Sequence, residues 1–99
     1  MSWEDHLKEQ RRLIILEGLS KTHDRKLNDT LLVRLTSQAG HDVSRTVIRS
    51  DILHLEETGA VIRTAAMGLV VAEITERGED HLALRTSLEG VARPSARRS

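Results

Sequence analysis

The chain has 99 residues, 15 basic and 15 acidic side chains, no Cys, and Trp3 as its one aromatic residue. This length supports one domain, and 38% hydrophobic residues suffice for a small core. The composition excludes disulfides, thiolate chemistry and zinc fingers, and argues against RNA or single-strand binders that need aromatic platforms.

No apolar run approaches the ~18–20 residues that span a bilayer; the longest is Leu13-Ile14-Ile15-Leu16. The polar, acidic start, Met1-Ser2-Trp3-Glu4-Asp5-His6, does not read as a signal peptide. A cytoplasmic protein without membrane contact is expected.

The first helix is expected from about Glu4 to Leu19, with Leu7 and Ile14 at helical spacing and Gly18 near its end. Four apolar residues in succession sweep most of a helix circumference, at about 100° each. One stripe can face the core, and the surplus needs a second cover. A subunit interface of Trp3, Leu7, Leu13, Ile15 and Leu16 is the leading expectation. Cover by a C-terminal segment of the same chain is the alternative.

Ser20 to Leu27 reads as a polar loop with Lys21, Arg25 and Lys26. Asn28 is the predicted N-cap of a second helix, and Asp29 suits the positive end of its dipole. Leu31, Leu32, Leu35 and Ala39 form its apolar stripe, and Gly40 stands where a helix terminates. Ser44 is the predicted N-cap of a third helix, flanked by Val43 and Ile48 at staple positions. Ile48, Ile52 and Leu55 are its inward stripe, and Gly59 ends it. The joint between these two helices, His41-Asp42-Val43, suits the angled crossing of a helix-turn-helix.

The period then changes. Ala60 to Ala66 and Leu69 to Ile74 are rich in β-branched residues and are separated by Met67-Gly68, which predicts a β-hairpin. Thr75 should cap a fourth helix with Glu76, Glu79 and Asp80 in its first turn. The expected fold is mainly α with a β-hairpin (α+β), in the order α-α-α-β-β-α. That is a winged helix-turn-helix with the third helix as recognition element. The domain is expected to span residues 1–89, with residues 90–99 a basic, flexible tail. All 15 acids and 12 of the 15 bases lie in residues 1–89, so the body stands at −3 and the last ten residues at +3.

Val43-Ser44-Arg45, Ile48-Arg49, Leu55 and Gly59 with Val61 resemble the recognition-helix region of winged-helix regulators. Ile74-Thr75-Glu76-Arg77-Gly78 resembles the segment joining wing and last helix in many of them. The whole chain, including the ending Glu89-Gly90-Val91-Ala92-Arg93-Pro94, is similar to a small winged-helix protein of Mu-like transposable phages and prophages, often labelled an ArsR-type transcriptional regulator. The resemblance implies phage or prophage origin and residence in a bacterial cytoplasm.

The candidate DNA-binding residues are Ser44, Arg45, Thr46, Arg49, Ser50 and Arg63. Arg45 and Arg49, four residues apart, can both point into a groove, where Arg grips guanine bidentately. Hydroxyls at a helix N-terminus suit phosphates. The bland alternative is solvated charge, with Arg45 facing Asp51 or Arg49 facing Glu56. The hairpin tip, Ala65-Ala66-Met67-Gly68, carries no base, so an interaction or assembly module that uses the fold without DNA is the second expectation. Its partner would be a phage or host protein. Five His invite a metal reading, but the nearest grouping is Asp51 with His54 and no HxxxH pair exists, so neither metal nor other cofactor is expected. Nothing resembles a phosphate loop or a nucleophile with its base, so no catalytic residue is expected. DNA and a second copy of the chain are the expected partners.

Overall fold

The computed structural model describes residues 2–95. Four helices and a three-stranded antiparallel sheet follow the order α1 (Trp3–Lys21), β1 (Lys26–Asn28), α2 (Asp29–Gln38), α3 (Arg45–Glu57), β2 (Val61–Ala66), β3 (Leu69–Ile74) and α4 (Glu76–Leu82). The sheet order is β1-β3-β2, so β3 is central. The expected order lacked β1. Its three residues carry no strand pattern of their own, and they become a strand by filling the open edge of β3, with Leu27 opposite Ala72.

Local signals set most boundaries. The side chains of Ser2, Asn28, Ser44 and Thr75 each accept from the backbone N–H three residues on, capping the four helices. At the end of α2, Gly40 N–H reaches Ser37 O and His41 N–H reaches Thr36 O, the paired bonds of a Schellman close. The hairpin turns on Met67 (φ 54°) and Gly68 (φ 78°), both in the left-handed region that a two-residue turn requires.

α1 does not stop at Gly18; it continues to Lys21. Gly18 is instead a contact point, since a Cβ there would lie 2.2 Å from Leu35 Cδ2 of α2. The core joins Leu13, Ile15, Leu16 and Leu19 of α1 to Leu32, Ile48, Ile52 and Leu55, and to Val61, Val70, Ala72 and Ile74 of the sheet. On α2, Leu32 and Thr36 are buried, whereas Leu31 and Ala39 are exposed. That stripe is therefore narrower than its sequence pattern.

The segment after α4 is part of the domain. Leu84 (φ 63°) turns the chain back, and Leu88 and Val91 enter the core. Ala92 N–H bonds Glu9 O at 3.1 Å, and Arg12 Nη1 donates to Gly90 O at 3.0 Å. His81 is fully buried: its Nδ1 accepts from Leu88 N–H at 3.2 Å, which leaves the proton on Nε2 to donate to Ala92 O at 2.8 Å. The expected domain limit at residue 89 is thus too early, because residues 90–92 are tied to α1 and α4. Arg97 and Arg98 of the expected tail lie outside the described residues.

This segment also settles the surplus apolar face of α1. Leu13, Ile15 and Leu16 are buried within one chain, covered by α2, α3, the sheet and the returning segment. They are core, not a subunit seam. Leu7 is half-buried, and Trp3 remains 70% exposed, stacked on His6 at 5.3 Å.

Candidate nucleic-acid interface

α3 lies at the surface with Ile48, Ile52 and Leu55 inward. The helical period therefore turns Thr46, Ser50, Leu53 and Glu57 outward, and all four are exposed. Ser44 is committed to its cap, accepting from Val47 N–H at 3.3 Å. The Arg45 side chain is exposed and forms no ion pair or hydrogen bond among the described residues. With Thr46 and Ser50, it leaves a cationic and hydroxyl-bearing surface over the first two turns, beside the positive end of the helix dipole.

Arg49 occupies a different place from the one expected. Its Nε donates to Asp29 Oδ2 at 2.6 Å and its Nη2 to Gly68 O at 2.7 Å. It is a strut that moors the β2–β3 turn and the start of α2 to α3. Asp29 is fully buried, and its Oδ1 has no hydrogen-bond partner. Losing Arg49 would leave that carboxylate uncompensated, a strong reason for the guanidinium to stay. Arg63 is also engaged, with Nε 2.9 Å from Glu56 Oε1. Of the two arginines expected to point outward together, Arg49 is held by Asp29 and Gly68, and Arg45 alone has its guanidinium unpaired among the described residues.

The charge pairings expected on α3 are replaced as well. Asp51 is buried and faces α1, receiving Arg11 Nε at 2.5 Å and Arg12 Nε at 3.0 Å. His54 approaches Glu89 O at 2.7 Å. Asp51 and His54 thus take different partners despite their spacing. Arg25 pairs with Glu79, and Lys26 lies on β1, at the opposite sheet edge from β2. Sequence spacing could not show Asp29 as the anchor of Arg49, since the two are 20 residues apart and only α2–α3 packing joins them.

The hairpin beside α3 is apolar at its tip. There Met67 is 98% exposed; Ile62, near the base of the hairpin, is 57% exposed and Leu53 of α3 45%. Among the described residues, no helix is long and apolar enough to cross a membrane.

Fold and surface together define a small α+β domain with one exposed, capped helix braced against a β-hairpin. No family model matches the chain, and no solved structure matches it. An uncharacterized protein, gp26 of Escherichia phage Mu, is 37% identical over 93 residues, which is 94% of this chain and 96% of the relative. An uncharacterized protein of Haemophilus influenzae Rd is 33% identical over 79 residues, 78% of this chain and 76% of its own length. The chain belongs to the family of phage Mu gp26, and its likeness to Mu-like phage proteins extends over nearly its whole length.

Proposed function

We propose that this chain is a winged-helix DNA-binding regulator of a Mu-like phage or prophage, of the kind labelled ArsR-type, acting in the bacterial cytoplasm by binding and not by catalysis. The reading rests on the surface at the start of α3. Arg45 is unpaired there, Thr46 and Ser50 stand beside it, and Arg49 holds the hairpin against the same helix. The succession of helix, short strand, two packed helices and hairpin, with sheet order β1-β3-β2, accords with a winged helix.

In this mechanism the first two turns of α3 enter the major groove. Arg45 grips a guanine edge, and the hydroxyls of Thr46 and Ser50 reach bases or phosphates. Arg49 acts by positioning, keeping the wing at a fixed angle to the helix. A body at −3 gives little long-range attraction, so few phosphates are neutralised and the salt dependence is shallow. Fluorescence anisotropy against fragments of its phage genome tests this. Arg45→Ala should lower affinity about 5- to 150-fold, the equivalent of one bidentate base contact at ~1–3 kcal/mol. Arg63→Ala, whose guanidinium already faces Glu56, should change it far less. Absence of any salt-sensitive binding refutes the proposal.

One observation favours a second reading, a phage protein-interaction module. Met67 holds a left-handed conformation that Asn or Gly adopts more cheaply, yet it is an almost fully exposed apolar side chain. A Met67→Asn variant that keeps DNA affinity but loses a phage protein partner supports that reading.

A further inference from the structure

The register of the sheet shows which backbone groups of β2 are free. Ile74 N–H donates to Arg25 O at 3.1 Å on the β1 side, so the even-numbered residues of β3 direct their backbone groups toward β1. Its odd residues, Leu69, Val71 and Glu73, therefore face β2 and pair with Ala66, Thr64 and Ile62. The two-residue turn between Ala66 and Leu69 requires the same phase. It follows that the N–H and C=O groups of Arg63 and Ala65 point out of the sheet edge. Neither residue has a backbone–backbone bond there among the described residues.

Edge strands are ordinarily protected by Lys, Pro, a bulge or an inward charge. β2, Val61-Ile62-Arg63-Thr64-Ala65-Ala66, has no Pro and no Lys, and its pairing with β3 runs without a bulge over all six residues. Its one charge, Arg63, is drawn to Glu56 on the helix side of the sheet. The opposite face carries Ile62, Thr64 and Ala66, all exposed and uncharged.

We propose that β2 pairs antiparallel with β2 of a second copy of this chain, across a two-fold axis at Thr64, and joins the two sheets into one. The charge and length of the strand select this register. The free groups belong to odd residues, so hydrogen-bonded pairs must be odd with odd. Setting Arg63 against Arg63 opposes two guanidinium groups, and setting Ala65 against Ala65 runs Arg63 onto Met67, beyond the end of the strand. Val61, the third odd residue, is buried at the start of the strand, and setting it against Arg63 runs Ala65 onto Gly59, before the strand begins. Setting Arg63 against Ala65 of the second copy, twice over, separates the like charges and uses all four outward groups of those two residues in each chain. The neighbouring pairs are then Ile62 with Ala66 and Thr64 with Thr64, which cover the exposed Ile62. Such an isologous contact closes on itself at two copies.

Sedimentation velocity on the full chain from micromolar to millimolar concentration should show the mass double. Ala65→Pro removes an outward N–H and leaves the β2–β3 ladder intact, so it should abolish the doubling while the circular dichroism spectrum is retained. Thr64→Lys and Thr64→Glu should each be monomeric alone and dimeric when mixed. The chain has no native Cys. Thr64→Cys should therefore oxidise to a covalent dimer on the order of tenfold or more faster than Thr46→Cys on α3, because a close non-hydrogen-bonded pair holds the thiols together. A wild-type chain that stays monomeric throughout overturns the proposal. So does a dimer indifferent to the position 64 and 65 variants, which would place the seam elsewhere, as at Trp3.

Discussion

Asp51→Ala tests the polar centre of the domain. Three N–H groups converge on this carboxylate: Arg11 Nε at 2.5 Å, Arg11 Nη2 at 3.3 Å and Arg12 Nε at 3.0 Å. Asp51 is 1% exposed, and the Arg11 and Arg12 side chains are 9% and 11% exposed. Removing the anion leaves two largely desolvated guanidinium groups facing a void, and breaking a buried ion pair in this way costs about 3–5 kcal/mol. A domain of this size has a total stability of roughly 5–15 kcal/mol. The loss is thus a large fraction of the whole, and a melting point about 12 °C lower or more is expected. Urea unfolding of the variant beside Arg63→Ala supplies the scale, because the half-exposed Arg63–Glu56 pair contributes only ~0–1 kcal/mol. A loss below about 1 kcal/mol for Asp51→Ala, with the fold retained, would refute the reasoning and mean that water reaches the triad freely.

Ile15→Glu should abolish cooperative unfolding and not yield a folded monomer, because Ile15 is 0% exposed inside one chain; light scattering with circular dichroism distinguishes the two. Gly78→Ala should destabilise more than Gly18→Ala in thermal melts. The new Cβ at 78 lies 2.6 Å from the Ala60 backbone oxygen, whereas at 18 it meets the Leu35 side chain, which can move, and such overpacking costs about 1–3 kcal/mol. Arg49→Ala should cost roughly 3 kcal/mol or more through the stranded Asp29. It should also raise hydrogen exchange at the Met67–Gly68 turn, and unchanged exchange there would show that Arg49 does not moor the hairpin.

The readings that agree with the structure share one property: their cause lies within a few residues. Asn28, Ser44 and Thr75 cap helices by reaching a backbone N–H three residues away. Met67 and Gly68 turn the hairpin because two residues in the left-handed region suffice. Ile48, Ile52 and Leu55 point inward because the helical period leaves them no other face. The same period turns Arg45, Thr46 and Ser50 to the exposed side of α3.

What the sequence by itself determined is therefore the set of elements with local causes and the outward face of α3. Tertiary structure alone decided the rest. β1 exists only because β3 presents an open edge to three residues without strand character. Leu13, Ile15 and Leu16 became core because α2, α3, the sheet and a segment more than 70 residues later in the chain all pack around α1, that segment fastened by Arg12 to Gly90 and His81 to Ala92. Arg49 was engaged by Asp29, 20 residues before it, and Asp51 was claimed by arginines 40 and 39 residues before it. The energy of a charge depends on which opposite charge the packed chain brings near it and on how little water remains there. Composition and spacing carry neither quantity, so a net charge of zero concealed a domain in which Asp51 and Asp29 are buried against arginines.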